Sequence, residues 1–313
     1  MKKKITIIVA DPAGNITIFV KDRFERSMYP GVARQLLAME SLGGEQVAFI
    51  LDAPSCGRAQ GKMEMCGLEF CGNGSRSFGL IRAKEMGIEG KGCVFVDVSG
   101  CDEILTIEVD TNINYTRVKM PNPVKVSKID LSSLAIDDAK NSDDAKNSDD
   151  AKNSDDAKNS DDAKNSYDAL GSVDVVDFGG IMHLIIRGIE ATEKNFEAIK
   201  DFIMAKFNPP AMGVMFCDGE MKREGDTLVC PMTPVVYVKD VDTTYFEGSC
   251  GSGTTACAAA MGLEKGDGIH HFIFPQPAGI IESTAHISGG MVEKIFIEGK
   301  VELSPEMEVE IEV

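Results

Sequence analysis

The chain of 313 residues has no tryptophan and comparatively little positive charge. Lys and Arg number 32 against 50 Asp and Glu, which gives a formal net charge of −18. Apart from Lys2-Lys3-Lys4, no basic run is present that would attract the phosphates of a nucleic acid or an anionic lipid surface. We therefore expect neither nucleic acid nor membrane as a partner.

Long hydrophobic segments are also absent. No run approaches the ~20 apolar residues that cross a bilayer. The run Ile5–Ala10 that follows the lysines is too short for the core of a signal peptide. Nine cysteines, an odd number, do not fit a disulfide framework in a chain of this size. These features predict a cytoplasmic protein with reduced thiols.

A repeat interrupts an otherwise ordinary globular composition. Residues 137–166 are five identical copies of Asp-Asp-Ala-Lys-Asn-Ser. The repeat cannot bury a core because it has no apolar residue larger than alanine, and Asp, Asn and Ser disfavour helix interiors. We expect a solvated, mobile insertion; a repeat-built binding surface is the alternative.

The segments on either side of the repeat predict a mixed architecture. Ile104–Val109, Tyr115–Met120 and Met307–Val313 alternate as half-buried strands do, whereas helix-like runs follow two cysteine motifs. The sequence predicts an α+β fold with two lobes. The first spans residues 1–130; the second spans 131–313 and contains the repeat, and the last strand is free to return to the first lobe.

The most specific pattern is a short motif that occurs twice. Cys71-Gly72-Asn73-Gly74-Ser75 recurs as Cys250-Gly251-Ser252-Gly253-Thr254. Glycines let the backbone approach a ligand closely, and the free amides of a helix's first turn carry partial positive charge. These amides can hold a substrate carboxylate and the charge that develops beside it in a transition state.

A cysteine at such a helix start can serve as an acid or a base. The helix field is expected to lower its pKa from the ordinary ~8.5, so that a thiolate becomes available. Racemisation without a cofactor requires one group that removes the α-proton and another that delivers a proton to the opposite face. We therefore predict that Cys71 and Cys250 are the catalytic pair of an amino-acid racemase, in a cleft between the lobes.

The remaining cysteines are predicted to be small buried packing residues. This group contains Cys56, Cys93, Cys101, Cys217, Cys230 and, within the second helix, Cys257. A zinc site that uses Cys66 and Cys257 with the two motif cysteines has spacings unlike those of most structural zinc sites. A redox pair between the two motif cysteines is a further alternative.

The paired motif resembles the diaminopimelate epimerase family of cofactor-independent, two-cysteine racemases, over nearly the whole chain outside the repeat. Glu69–Arg76 is similar to the family's first catalytic motif and Cys250–Ala258 to its second. Gly14-Asn15 matches an early substrate-contacting asparagine. Gly180–His183 stands where the family has Gly-Asn-Pro-His, and Gln276–Gly279 matches the closing segment.

This resemblance implies two similar lobes, each a mostly antiparallel sheet wrapped around a central helix. It also implies catalysis by the two cysteines, with neither cofactor nor metal. Together with the motif analysis it predicts the substrate-binding residues, which are Asn15, Gly72, Asn73, Gly74, His183, Asp242, Gly251 and Ser252. The implied partner is a small amino-acid substrate, and a homodimer is left open.

Departures from the family pattern concern the substrate's side chain. Ile181 and Gly213 stand where asparagines are expected, and Val241-Asp242 stands where a Glu-Arg pair is expected. A second substrate carboxylate beside Asp242 would cost ~2–5 kcal/mol. We expect a neutral or cationic side chain, with histidine first, since histidine racemases are a branch of the family, and then lysine or ornithine. If the alignment slips by one residue, Asp242 instead assists Cys250.

Three other functions remain as alternatives. Two belong to the same class, namely diaminopimelate epimerase itself and a proline-type racemase, although proline racemases share the motif pair only loosely. The third is a non-catalytic amino-acid-binding protein. Two thiols at matching positions argue against the third function, because binding alone requires no thiol.

Overall fold

The computed structural model describes residues 2–54, 57–134, 136 and 170–312. The repeat at 137–166 lies outside the described residues. The α-helices of the described ranges are α1 (Tyr29–Leu37), α2 (Gly72–Glu85), α3 (Glu193–Lys206) and α4 (Gly251–Lys265). None of these helices is long and apolar enough to cross a membrane.

Strands make up most of the remaining described chain. In order they are β1 (Lys2–Asp11), β2 (Thr17–Val20), β3 (Gln46–Leu51), β4 (Gly61–Met65), β5 (Lys91–Val98), β6 (Leu105–Asp110), β7 (Tyr115–Met120), β8 (Lys125–Asp130), β9 (Ser172–Asp177), β10 (Met182–Arg187), β11 (Ala211–Cys217), β12 (Lys222–Glu224), β13 (Thr227–Val229), β14 (Met232–Val238), β15 (Thr243–Phe246), β16 (Gly268–Gln276), β17 (Gly279–Ser288), β18 (Met291–Lys300), β19 (Glu302–Leu303) and β20 (Met307–Glu312). The α+β fold predicted from the sequence is confirmed, and sheet dominates it.

The strands form two sheets. The larger runs in the order β12-β13-β16-β17-β18-β7-β6-β5-β4-β3-β2-β1-β19, and β20 also pairs with β1. The smaller runs β15-β14-β11-β10-β9-β8. Most neighbours are antiparallel; β2/β3, β4/β5, β10/β11 and β13/β16 are parallel. The smaller sheet begins with β8, which pairs with β9, whereas β12, β13 and β16–β20 return to the larger sheet.

Helix α2 lies against the larger sheet and is buried on nearly all sides. Every residue from Gly72 to Ile81 is buried, and the helix packs among side chains such as Val96 of β5 and Ile107 of β6. A Cβ on Gly79 would lie 2.4 Å from Cγ2 of Ile107, so glycine permits this close approach.

Helix α4 is packed between the two sheets in a similar way. Its residues 253–262 include six alanines or glycines, and all ten residues are buried. It packs against Ile185 and Met215 of the smaller sheet and against Phe272 and Ala285 of the larger. Small side chains let strands approach the helix from both sides.

The other two α-helices cover outer faces of the sheets. Helix α1 packs with Ile7 and Phe49 of the larger sheet. Helix α3 uses Phe196, Ile199 and Ile203 to cover the smaller sheet. Both thus shield sheet faces that lie away from the starts of α2 and α4.

Candidate active site

The starts of α2 and α4 meet at a cavity of about 780 Å³. A Cβ built on Gly251 would lie 3.7 Å from Cγ of Asn73, so the two helix ends nearly touch. Both motif cysteines line the cavity. The structure therefore brings together the two motifs that the sequence singles out.

Each cysteine caps its helix with the same geometry. Cys71 has φ −129° and ψ 112°, and its Sγ accepts a hydrogen bond from the Gly74 amide at 3.2 Å. Cys250 has φ −133° and ψ 112°, and its Sγ accepts from the Gly253 amide at 3.3 Å. The extended backbone at the cap turns both side chains back over the first helical turn.

The equivalence extends to the fourth residue after each thiol. The hydroxyl of Ser75 donates to the carbonyl oxygen of Cys71 at 2.7 Å, and that of Thr254 donates to the carbonyl oxygen of Cys250 at 2.7 Å. The side chain of Gln276 adds a brace at the second motif, since it accepts from the Cys250 amide and donates to Thr254.

A carboxyl group lies directly beside Cys250. Burial raises the pKa of the Cys250 thiol, and the nearby carboxyl group of Glu247 raises it further. Burial also raises the pKa of Glu247 to about 7. Its Oε2 is buried and has no hydrogen-bond partner among the described residues. Glu247 can therefore change its charge near neutral pH, next to the thiol.

Ser252 and His183 form a second contact to Cys250. Ser252 Oγ lies 3.4 Å from Cys250 Sγ, and His183 Nε2 lies 3.0 Å from Ser252 Oγ. Burial lowers the pKa of His183 to about 3, so its imidazole is neutral. His183 Nδ1 has no partner in the described chain. If Nε2 carries the ring proton, it donates to Ser252, and the Ser252 hydroxyl can then donate to the sulfur of Cys250. The unpaired Nδ1 is in that case an acceptor and not a donor.

The expected lowering of the thiol pKa values is wrong for this structure. Burial raises the pKa of Cys71 to about 11, and it raises that of Cys250 well above its usual range. The amides of Gly74 and Gly253 act in the opposite direction. The loss of water outweighs them, because a buried thiolate loses its hydration. Both cysteines are therefore protonated near neutral pH.

Asn15 belongs to a polar network on the Cys71 side of the cavity. Its Oδ1 accepts from Gln46 and, at 3.3 Å, from Asn73 Nδ2, while its Nδ2 donates to Glu45 at 3.2 Å. Arg76, which is fully buried, donates in turn to Asn73 Oδ1 at 3.1 Å. Burial lowers the pKa of Arg76 to about 10, so it remains a cation. The side chain of Asn15 is thereby held in one orientation.

The structure places most, but not all, of the predicted residues at the cavity. Of the predicted binding residues, Asn15, Gly72, Asn73, Gly251 and Ser252 line it. Gly74 does not line the cavity; its amide donates a hydrogen bond to Sγ of Cys71. His183 also lies outside the lining and touches Ser252 from behind.

Asp242 is not brought to the cavity, and this corrects the sequence prediction. It has a left-handed backbone conformation, with φ 47°, after a short 3₁₀ turn (Lys239–Val241). Its exposed carboxylate accepts a hydrogen bond from Tyr237 at 2.8 Å. Strand β15 separates it from Cys250 along the chain. The carboxyl beside Cys250 belongs to Glu247.

Ile181 and Gly213 are also absent from the lining. Ile181 packs against the core around α4. A Cβ on Gly213 would lie 2.4 Å from Nδ1 of His183, so the glycine makes space for that imidazole. Neither residue is therefore placed to contact a substrate side chain in this cavity.

Sequence reasoning missed two acidic residues that line the cavity, Glu45 and Glu247. Glu247 comes three residues before Cys250, much as Glu69 comes two before Cys71. An acidic residue shortly before each motif cysteine is visible in the sequence and could have indicated a carboxyl group at each thiol. Glu45 offers no such signal, since it reaches the cavity only through the packing of β3 beside β2.

The cysteines outside the motifs lie in different surroundings. Cys217, Cys230 and Cys257 are buried in the core around α4, and the sulfur atoms of Cys217 and Cys257 lie 3.7 Å apart. Cys93 is exposed, which corrects its predicted burial, and Cys101 is partly exposed. Cys56 lies outside the described residues.

Comparison with known proteins identifies the family. The family model described as the histidine racemase CntK N-terminal domain matches residues 4–140 and 158–309. A histidine racemase of Fusobacterium nucleatum subsp. nucleatum (strain ATCC 23726 / VPI 4351) is 29% identical over 311 residues, which cover 95% of this chain and 97% of that protein. One from Staphylococcus aureus (strain Mu50 / ATCC 700699) is 22% identical, with 93% and 92% covered.

Solved structures share the fold at lower identity. A hydroxyproline epimerase from Agrobacterium vitis superposes with a TM-score of 0.57 at 12% identity, covering 98% of this chain and 91% of that one. A methylitaconate-delta-isomerase gives a TM-score of 0.54 at 13% identity, covering 99% and 96%. By its sequence match, the chain belongs to the histidine racemase family described by the CntK N-terminal domain, and it is an isomerase of the racemase and epimerase class.

Proposed function

We propose that this protein is a cofactor-independent histidine racemase in which Cys71 and Cys250 exchange protons with opposite faces of the α-carbon. The observation that carries this proposal is the matched pair of thiols, each capping a helix with nearly identical backbone angles, at one cavity. Membership in a histidine racemase family supports the choice of substrate.

The proton inventory of the cavity supports a two-base mechanism. One thiol must lose its proton before it can act as a base, and Glu247 is positioned to take that proton from Cys250. The thiolate that forms accepts hydrogen bonds from the Gly253 amide and the Ser252 hydroxyl. Cys71 stays protonated and delivers its proton to the opposite face of the α-carbon. In the reverse reaction the two thiols exchange roles.

The helix starts provide the electrostatic part of the proposal. We propose that the amides of Gly72, Asn73, Gly251 and Ser252 bind the α-carboxylate. Removal of the α-proton moves negative charge onto this carboxylate, and amides already held by two helices stabilise that charge without reorganising. The dipoles of both helices also place partial positive charge near this carboxylate and so stabilise it.

The charge of the cavity favours a neutral or cationic substrate side chain. Three glutamates, Glu45, Glu69 and Glu247, line the cavity, and no lining residue identified in the described chain is Lys, Arg or His. A second substrate carboxylate would meet only like charge there, at a cost of several kcal/mol. We therefore propose histidine over diaminopimelate.

We further propose that the fold consists of two pseudo-symmetric lobes of the diaminopimelate epimerase type. Helices α2 and α4 would be the central helices, and the matched caps at Cys71 and Cys250 support the internal symmetry. A boundary before β8 agrees better with the sheet pairing than one after residue 130.

The direct test is α-proton exchange in deuterium oxide. Purified protein is incubated with single L-amino acids, and mass spectrometry with chiral chromatography measures deuterium uptake and D-isomer formation. We expect histidine to exchange and racemise far faster than diaminopimelate or proline. If diaminopimelate is the best substrate, histidine specificity is wrong although the racemase chemistry stands.

The cysteine assignment is tested with Cys71→Ala and Cys250→Ala in the same assay. Each variant lacks one obligatory proton carrier, so we expect racemisation to fall by roughly 10³-fold or more. Cys93→Ala, which removes an exposed thiol outside the cavity, is the matched control and should retain full activity. Retention of a tenth of normal turnover by either active-site variant would refute the two-base assignment.

A further inference from the structure

Glu45 lines the cavity but has no part in the proton transfers proposed above. Its Oε2 accepts a hydrogen bond from Asn15 Nδ2 at 3.2 Å. A Cβ built on Gly248 would lie 3.7 Å from its Oε1, so this second oxygen is near the loop that leads to Cys250. Glu45 thus has one oxygen bonded to Asn15 and the other near Gly248, and its side chain lines the cavity.

The network behind Glu45 fixes its orientation. Asn15 Oδ1 is occupied by donors from Gln46 and Asn73, which forces the Asn15 amide nitrogen towards Glu45. Asn73 is held in turn by the buried Arg76. A hydrogen-bonded chain therefore connects a buried cation to the cavity carboxylate, and it favours the ionised form of Glu45.

The charges around Glu45 are acidic. Partial burial and, to a smaller extent, the carboxylate of Asp11 raise the pKa of Glu45, and Glu45 raises the pKa of Glu247. Glu45 and Glu247 are therefore close enough to repel each other. A ligand group that donates a hydrogen bond or carries positive charge would relieve this repulsion, whereas an anionic group would increase it.

The carboxylates of the cavity act on different groups. Glu247 raises the pKa of Cys250, and Glu69 raises the pKa of Cys71. Glu45 instead raises the pKa of Glu247 and is not a main cause of the pKa shift at either thiol. The α-ammonium group is one bond from the reacting carbon and must stay near the two thiols. A nitrogen at the end of the substrate's side chain is several bonds away, which suits a carboxylate that is not paired with a thiol.

We propose that Glu45 determines side-chain specificity by accepting a hydrogen bond from a ring N–H of the substrate's imidazole. This inference rests on the proposed histidine racemase activity and assigns its recognition residue. The aromatic rings of Tyr245 and Phe246 and the apolar side chain of Val238 line the same cavity and can contact the faces of a flat ring.

The test compares Glu45→Gln with the wild-type protein on histidine and its two ring N-methylated isomers. Each methyl group removes one N–H donor and leaves the α-groups unchanged. We expect wild type to have at least ~10-fold higher KM for one isomer than for histidine, because a hydrogen-bonding site discriminates against a missing donor. Glu45→Gln keeps an acceptor oxygen but loses the charge that strengthens the hydrogen bond, so it should lose a large part of this discrimination, with kcat for histidine changed by less than ~3-fold.

The pH dependence of KM gives a second measurement. Free imidazole has a pKa of ~6.5. Wild type should therefore bind histidine more tightly near pH 6 than near pH 8, because a carboxylate pairs best with imidazolium. The difference should shrink in Glu45→Gln and largely return in Glu45→Asp. Glu40→Gln, an exposed residue just before Glu45, is the matched control.

Two results would overturn the proposal. If Glu45→Gln weakens histidine and both methylated isomers equally, Glu45 binds the α-ammonium group or acts on structure alone. If it weakens none of them, Glu45 has no role in recognition. Calorimetric titration with the same three amino acids separates these results from failure of the proposed function, because it measures binding even if wild type does not racemise histidine.

Discussion

At the scale of single residues, catalysis depends on how a proton leaves a buried thiol. Both cysteines lie where burial raises the pKa, so neither is a thiolate near neutral pH. The cost of ionising Cys250 is reduced if its proton moves to a neighbouring base in the same environment. Glu247 is such a base, because the same burial that penalises the thiolate also raises the pKa of this carboxyl to about 7.

The ionisation of Glu247 is expected to make racemisation depend on pH. The carboxylate can accept the thiol proton only when it is ionised, so kcat should rise with pH up to about 7 and then level off. Glu247→Gln should remove this rise and lower kcat by ~10²–10⁴-fold. Steady-state racemisation measured between mildly acidic and alkaline pH would show both effects.

Asp242→Asn is the control for that profile. Its exposed carboxylate lies outside the cavity lining, so kcat should stay near the wild-type value. A loss in Asp242→Asn that matches the loss in Glu247→Gln would contradict the placement of the two acids.

Glu247 also links stability to pH. Its pKa is raised from 4.5 to about 7 in the folded protein, so the folded state binds this proton more tightly than the unfolded state does. Its ionisation therefore destabilises the fold as pH rises through that interval. Glu247→Gln should lose this contribution. Denaturant titrations of both proteins near pH 4.5 and pH 7.5 should show a smaller decline for the variant.

At the scale of the elements, the two central helices depend on small residues. A Cβ on Gly79 of α2 would meet Ile107 at 2.4 Å. Overpacking of this kind costs ~1–3 kcal/mol, more than the gain of up to ~1 kcal/mol that alanine brings within a helix. Gly79→Ala should therefore lower the free energy of unfolding, as measured by denaturant titration.

Gly31→Ala is the control for Gly79→Ala, because it adds the same methyl group to a helix at a position without neighbouring atoms. Gly31 lies in α1, is exposed, and has no atom within 4 Å of a built Cβ. It should stabilise by ~0.4–1 kcal/mol. If both variants gain stability, the close approach of α2 to β6 is not as tight as described.

The sequence predicted those features that depend on local pattern. The two helix starts follow from the Cys-Gly-x-Gly motifs, and the last strand follows from the alternation before Val313. Glu45 could not be predicted, because a parallel pairing of β2 and β3 brings it beside Asn15. Asp242 was misplaced because a left-handed turn directs it to Tyr237. The predicted direction of the thiol pKa shifts was wrong because burial depends on tertiary structure, which a local sequence pattern does not show.

At the scale of the whole molecule, pairing between distant segments closes the structure. Strand β20 pairs with β1 from Lys2–Glu312 to Ile7–Met307, and β18 pairs with β7. Arg76 of α2 adds hydrogen bonds to the carbonyls of Pro12, Gly299 and Lys300. The cavity is thus supported by segments from both ends of the chain.

The repeat lies within the connection between two strands of the smaller sheet. Residues 137–166 lie between β8 and β9, which are antiparallel neighbours whose register ends at the pair Asp130–Ser172. Ile136 and Leu170, on either side of the repeat, are buried in the same core cluster. The family model leaves residues 141–157 unmatched. Both attachment points are therefore held independently of the repeat.

The last prediction is that deletion of 137–166, with a short flexible linker in its place, leaves the enzyme intact. A flexible loop costs ~0.6 kcal/mol less for each halving of its length, so the deletion should stabilise by about 1 kcal/mol or less. Racemisation of histidine should be unchanged, because the cavity-lining residues identified in the described part of the chain all lie in segments that the deletion leaves in place. Thermal unfolding and kcat/KM would be measured beside a variant in which a scrambled sequence of the same composition replaces the repeat. If the deletion lowers activity and the scrambled variant does not, the length of the segment matters. Loss of activity in both would show that its particular sequence contributes to the active enzyme, and the interpretation of the repeat as an inert insertion would be wrong.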